Sequence, residues 1–234
     1  MVNSSRTKPG RPARRQKESF AEKAYRDLRQ RILDNALAAG QQFTEEELAA
    51  LLRMSRTPTR EAMLRLASEG LVEIRPRHGM RVKPVSVEDM REIYEVLTAL
   101  ESTAAGLAAA RPEGEVPLAA MRAAIGDMET ALDADDLKAW AIADERFHKL
   151  LVEAAGNPRL AELVETYVGQ SHRVRMLTLR LRPKPQKSNQ DHAEVVEAIA
   201  AHDSARAREL HRCHRERSGS MLVALLQSHG LTQL

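Results

Sequence analysis

Four side chains in the second half of the sequence have the types and spacing to hold a metal ion. Asp144 and His148 stand four residues apart in an amphipathic run, so their side chains meet on one helix face. His192 begins a second helical stretch, whose apolar positions Val195, Val196 and Ile199 repeat at helical spacing. His214 lies on a third, with Leu210 and Met221 on a nearby stripe. One carboxylate and three imidazoles on inward-looking faces can close around a divalent cation of the Zn, Ni or Mn type at the centre of a bundle. A single histidine on an apolar face is usually a satisfied core residue, so the case rests on four positions acting together. His211, one turn before His214, is a rival for the last ligand position.

A second group, near the N-terminus, suits nucleic acid. Arg56 and Arg60 are four residues apart and share one face with Thr59 and Met63, while Ala62, Leu66 and Ala67 point inward. Ser55 and Thr57 add hydroxyls at the start of the same helix. Two guanidinium groups with hydroxyls beside them, at a helix N-terminus, fit phosphates and guanine edges. The plainer alternative is a surface helix whose arginines only solvate it.

The elements that must position these groups follow from periodicity and breakers. A first helix spans about 19–38, with Ala24, Leu28, Ile32 and Leu37 as its apolar stripe and Gly40 as its stop. Thr44 and Glu47 form a capping box that opens a second helix, and a tight turn leads into the arginine-bearing one. Helix, turn, helix is the layout of a DNA reader. Two short alternating runs, 71–75 and 80–82, flank Pro76-Arg77-His78-Gly79 and predict a hairpin, hence a wing with a basic tip. Residues 84–86 make a linker, and Ser86 with Asp89 forms another capping box. Six helical stretches follow, at about 87–110, 117–133, 135–155, 157–181, 186–202 and 204–229, separated by Gly, Pro and Asp breakers.

Composition agrees. The chain has 234 residues, 43% hydrophobic but only 3% aromatic, which favours helices packed on helices. Residues 1–83 carry 18 Lys and Arg against 10 Asp and Glu, whereas the remainder carries 18 against 23. The basic half is the one with the DNA motif, as a polyanionic partner requires. Residues 1–17 predict a basic arm without fixed structure, and Pro9-Gly10-Arg11-Pro12 within it has an incomplete Gly-Arg-Pro core of the kind that enters minor grooves. No apolar run is long enough to cross a membrane, and the single Cys213 fits a reducing compartment, so a cytoplasmic protein is expected.

Residues 54–63, Met-Ser-Arg-Thr-Pro-Thr-Arg-Glu-Ala-Met, resemble the signature of the GntR family of bacterial transcription regulators, usually Val-Ser-Arg-Thr-Pro-Val-Arg-Glu-Ala-Leu. Glu45, Leu48 and Ala49 upstream and Leu66, Glu69-Gly70-Leu71 and Gly79 downstream agree, so the likeness covers about residues 20–83. It implies a winged helix in which His78 and Gly79 fall at the wing-tip contacts, although Gly79 could serve only to make the turn. Glu46 stands where the family often has a basic residue. Farther on, Asp144-Glu145-Arg146-Phe147-His148, Ala154-Ala155-Gly156-Asn157 with Leu160, and Asp191-His192 with Ala198-Ile199 resemble the FCD ligand-binding domain of the FadR-type branch. The resemblance implies that Asp144, His148, His192 and His214 are metal ligands, and it selects His214 over His211. Six helices rather than seven resemble the shorter, VanR-like variant. A small carboxylic acid bound at open positions of the metal is the implied effector, with Arg173 and Arg175 as candidates to pair with it. Related domains often carry Arg in a Tyr-Glu-Val-Arg stretch, where this chain has Leu97.

The expectation is therefore a mainly α protein: a basic arm (1–17), a winged helix-turn-helix (18–83), a linker (84–86) and a helical bundle of about six helices (87–234). It would act as a homodimer on a pseudo-palindromic double-stranded operator, without membrane contact and without catalysis. The competing reading is a metal-dependent hydrolase or lyase fused to a DNA anchor.

Overall fold

The computed structural model describes residues 18–112 and 114–231; the basic arm expected over 1–17 lies outside them. Among the described residues the order is α1 (Phe20–Leu33), β1 (Gln42–Phe43), α2 (Glu45–Leu52), α3 (Arg56–Ser68), β2 (Val72–Arg75), β3 (Gly79–Val82), then α4 (Val87–Ala109), α5 (Leu118–Asp133), α6 (Leu137–Ala154), α7 (Pro158–Leu177), α8 (Gln186–Ala200) and α9 (Ser204–Ser228). A 3-10 turn, Leu179–Leu181, follows α7. The protein is thus mainly helical, with a winged helix-turn-helix ahead of a six-helix bundle.

Local chemistry accounts for most boundaries. Ser19 caps α1 by accepting from the Glu22 N–H, and Ala24, Leu28 and Ile32 are buried beneath it. The helix stops at Leu33, a turn short of expectation, because Asn35 takes a left-handed φ of 58° that no helix continues through. Leu37 still reaches the core, from the turn that follows. Both capping boxes form: Thr44 Oγ1 accepts from Glu47 N while Glu47 returns to Thr44 N, and Ser86 and Asp89 do likewise.

The hairpin β2–β3 forms as expected, and a third strand joins it: β1 pairs antiparallel with β3, with Phe43 opposite Met80, giving the order β1-β3-β2. Val72, Met80 and Val82 point into the head's core with Leu28, Leu48 and Leu66. Gly79 has a φ of +84°, and a Cβ there would lie 2.0 Å from the Phe43 carbonyl oxygen. Gly79→Ala is therefore expected to destabilise the head by about 1–3 kcal/mol through backbone strain alone. A lowered melting temperature would bear this out; an unchanged melting temperature would refute it.

In the bundle, α4 packs along α9, helped by Gly219, where a Cβ would meet the Tyr94 ring at 2.8 Å. One core lies among α5, α6 and α8, around Met128, Phe147, Leu151 and Val195; a second lies among α4, α7 and α9, around Met90, Leu97, Val174 and Leu222. The buried polar residues discussed next sit where these two cores meet. Among the described residues no helix is long and apolar enough to cross a membrane.

Candidate functional site

Helix α6 buries Trp140, Asp144, Phe147, His148 and Leu151 on one stripe, so its apolar periodicity carries the carboxylate and the imidazole inward. Trp140 Nε1 donates to Asn189 Oδ1 of α8 at 2.9 Å, which fixes α8 one turn from His192. The His192 ring stacks on Phe147, centroids 4.1 Å apart. His148, His192 and His214 each bring a potential ligand atom within 4.8 Å of the others'. His192 Nε2 and His214 Nε2 are 3.3 Å apart. Asp144 Oδ1 lies 3.7 Å from His148 Nε2 and 3.8 Å from His192 Nε2. The structure thus brings together all four residues that the sequence singled out.

The donor set fits a divalent ion. Two nitrogens each bonded at about 2.0–2.1 Å to one tetrahedral ion stand roughly 3.3 Å apart, which is the His192–His214 separation. Burial pushes the His192 imidazole well below its ordinary pKa, with His214 and His148 adding to the effect. Burial likewise takes His214 down to about 3, reinforced by His148 and Arg215. Both rings are therefore neutral and keep a lone pair for a metal. Burial would raise the Asp144 carboxyl, but it is lowered overall, and the permanent positive charge beside it is Arg175. Its two oxygens divide the work: Oδ2 accepts from Arg175 NH2 at 2.9 Å, and Oδ1 faces the imidazoles.

Beside this cluster runs a narrow pocket of about 40 Å3, lined among others by Tyr94, Asp144, His148, Arg175, Arg182 and His214. Arg175 lines this pocket. Arg173 does not: it is buried against the start of the bundle and donates through NH2 to the Lys83 carbonyl at 2.8 Å. Residues two apart on a helix point some 200° from each other, so α7 could not bring both arginines to one pocket. The cation that the sequence reading missed is Arg182, which donates to the Arg175 carbonyl at 2.6 Å and to Thr178 Oγ1 at 2.9 Å. Its place among prolines read only as a break.

A carboxylate was missed as well. Glu101, on α4, is fully buried and takes Arg215, His211 and His148 around it. Cys213 is exposed, its thiol beside Glu209.

In the head, Ser55, Arg56, Thr57 and Arg60 are exposed on or just before α3, and His78 is exposed at the wing tip. Thr59 is not part of that surface. It is fully buried, and its Oγ1 donates to the Ser55 carbonyl at 3.0 Å. Met63 is buried too, while Ala67 is only half-buried. At 100° per residue the exposed arc runs from Arg56 through Arg60, Leu64 and Thr57 to Glu61; Thr59 and Met63 fall on the far side of Arg56, beside Leu66. A groove of about 500 Å3 between α3 and the wing is lined by Arg56 and Arg60 on one side and by Arg75 and Arg77 on the other. The two wing arginines carry the basic surface from α3 onto the wing. Glu46 reaches across to Arg56, Oε2 to NH2 at 2.9 Å.

Comparison with known proteins places this geometry. Residues 20–82 match the bacterial regulatory proteins of the gntR family, and residues 92–217 match the FCD domain. The chain belongs to the GntR family, and with an FCD domain behind its winged helix it is a DNA-binding transcriptional regulator, not an enzyme. It is 34% identical over 196 residues to an HTH-type transcriptional regulator in an unstable DNA locus of Streptomyces ambofaciens, covering 81% of this chain and 79% of that protein. It is 46% identical over 135 residues to an HTH-type regulator in the TAR-I ttuE-ttuC' intergenic region of Agrobacterium vitis, covering 56% of this chain and 78% of that one. The fold resembles the solved structure of E. coli McbR/YncC, with a TM-score of 0.75 at 21% identity over 91% of this chain and 100% of that one. The hydrolase or lyase alternative falls with this membership.

Proposed function

We propose that this regulator is a cytoplasmic homodimer that binds a divalent metal through Asp144, His148, His192 and His214, and reads a small carboxylic acid at that metal. The observation that carries the reading is the convergence of three imidazoles and one carboxylate on a pocket rimmed by Arg175 and Arg182. The metal would supply positive charge and open coordination positions, and the two arginines would pair with the acid's remaining charge. The pocket's narrowness suits a short acid over a bulky one. Residues 18–83 form the DNA head, 84–86 the linker and 87–234 the sensing and dimerising body. Ser55, Arg56, Thr57 and Arg60 face the major groove, and His78, with Gly79 setting the turn, faces the adjacent backbone or minor groove.

Helix α7 supplies a route between the two ends. Arg175 holds Asp144 at the metal centre; Gln170 Nε2 donates to the Glu69 carbonyl of the head and Arg173 to the Lys83 carbonyl beside the linker, each at 2.8 Å. A ligand that draws on Arg175 therefore acts on a helix bonded directly to the DNA head. The response can be no larger than the ligand's preference for one placement of that head. Arg173→Ala is expected to leave zinc content unchanged and to shrink the effect of zinc and acid on duplex affinity.

The test of the whole reading is duplex binding by zinc-loaded protein across a panel of short mono- and dicarboxylic acids. A shift in affinity with at least one acid, absent after metal removal, supports it. No shift with any acid would remove the sensor role.

A further inference from the structure

We propose that Glu101 is a positioning residue for the metal ligand His148, fixing which of its ring nitrogens faces the ion; this rests on the metal reading above. Glu101 is on α4, far in sequence from the four ligands, and its side chain is wholly buried. Arg215 of α9 grips it with two nitrogens, Nε to Oε2 at 2.9 Å and NH2 to Oε1. That fork neutralises the carboxylate and sets its plane.

The remaining capacity of Oε2 is directed at two imidazoles. His211 Nε2 lies 3.0 Å from it and His148 Nδ1 2.9 Å from it. The other nitrogen of His148, Nε2, looks towards Asp144 Oδ1 and the cluster with His192 and His214. A neutral imidazole has one N–H. Placed on Nδ1, it lies 2.9 Å from an anionic oxygen, short of an aligned hydrogen bond, and leaves the Nε2 lone pair turned to the ion. Placed on Nε2, it would bring a lone pair against the Glu101 carboxylate and a hydrogen into the metal position. Such a carboxylate behind a ligating histidine raises its basicity and holds the ring in line. His211, one turn from His214, turns its Nε2 to the same carboxylate and away from His192 and His214, although Glu101, His148 and His211 also lie close enough together to make a second ligand set.

The experiment uses the full chain and Zn2+ as probe. Zinc affinity is measured by competition with a chromogenic chelator for wild type, Glu101→Gln and the double variant Glu101→Gln/Arg215→Met, which removes the buried charge that the single change strands. Long-range proton–nitrogen NMR on zinc-free wild type assigns the His148 tautomer. Expected are an Nδ1–H tautomer at His148 and zinc affinity about 10- to 100-fold weaker in whichever variant folds. Wild-type zinc binding with unchanged affinity in the variants, or an Nε2–H tautomer, would overturn the role of Glu101 and leave the metal site standing. Failure of wild type to take up Zn2+, Ni2+ or Mn2+ would instead overturn the metal reading and the inference together.

Discussion

Replacing His192 with alanine is expected to weaken zinc binding by about 3 kcal/mol, roughly two orders of magnitude. The figure follows from structural zinc sites, whose four ligands together contribute on the order of 10–16 kcal/mol. His192 is the proposed ligand for which the geometry is tightest. It is fully buried, stacked on Phe147, and its Nε2 stands 3.3 Å from His214 Nε2. A water could replace the lost nitrogen, but it would lack the stacked ring's fixed position. The fold should survive, because the site joins two apolar cores that hold α6, α8 and α9 independently. Chelator competition on the refolded, metal-free variant measures the affinity, and circular dichroism checks the fold. Unchanged affinity in a folded variant would place the ion elsewhere. Duplex binding without metal should stay within error of the metal-free wild type, since His192 is buried against Phe147 and His214 within the bundle.

The second large effect lies in the head and has two signs. Arg60→Ala is expected to weaken duplex binding by about 1–3 kcal/mol. Arg60 is exposed on the groove between α3 and the wing, free to meet a phosphate or a guanine edge. Arg56 differs, because Glu46 already sits 2.9 Å from its guanidinium. DNA must displace that carboxylate or tolerate it beside the phosphates. Glu46→Ala should therefore strengthen duplex binding and steepen its dependence on salt by about one unit of log–log slope. Both members of the pair are well exposed, so its loss should change folding stability little. Fluorescence anisotropy on a duplex at several salt concentrations reads both variants. A Glu46→Ala protein with the wild-type slope would show that Arg56 does not face DNA.

What the sequence disclosed was mostly local. The capping boxes at Thr44 and Ser86, the six helices of the body and the hairpin each follow from a few neighbouring residues, and each is present. The convergence of Asp144, His148, His192 and His214 was legible because Asp144 and His148 share a helix face and because the likeness to a known domain named their partners. Other features depend on distant contacts. A two-residue strand at Gln42–Phe43 exists only because β3 arrives beside it. Glu101 sits in an Ala-rich helix with no local mark of its role, and the arginine that stabilises its charge is Arg215 on α9. The position of Thr59 depended on which flank of Arg56 packs against the head's core. Arg173 and Arg175 look alike in sequence, yet helix geometry sends one to the linker and the other to Asp144.

X-ray absorption at the zinc edge of the loaded full-length protein tests the metal centre most directly. The ion should show three imidazole ligands with the rest of its shell made of oxygen, at about 2.0–2.2 Å, and His192→Ala should remove one imidazole. A shell containing sulfur, one made only of oxygen, or one that His192→Ala leaves unchanged would contradict the assignment of this site.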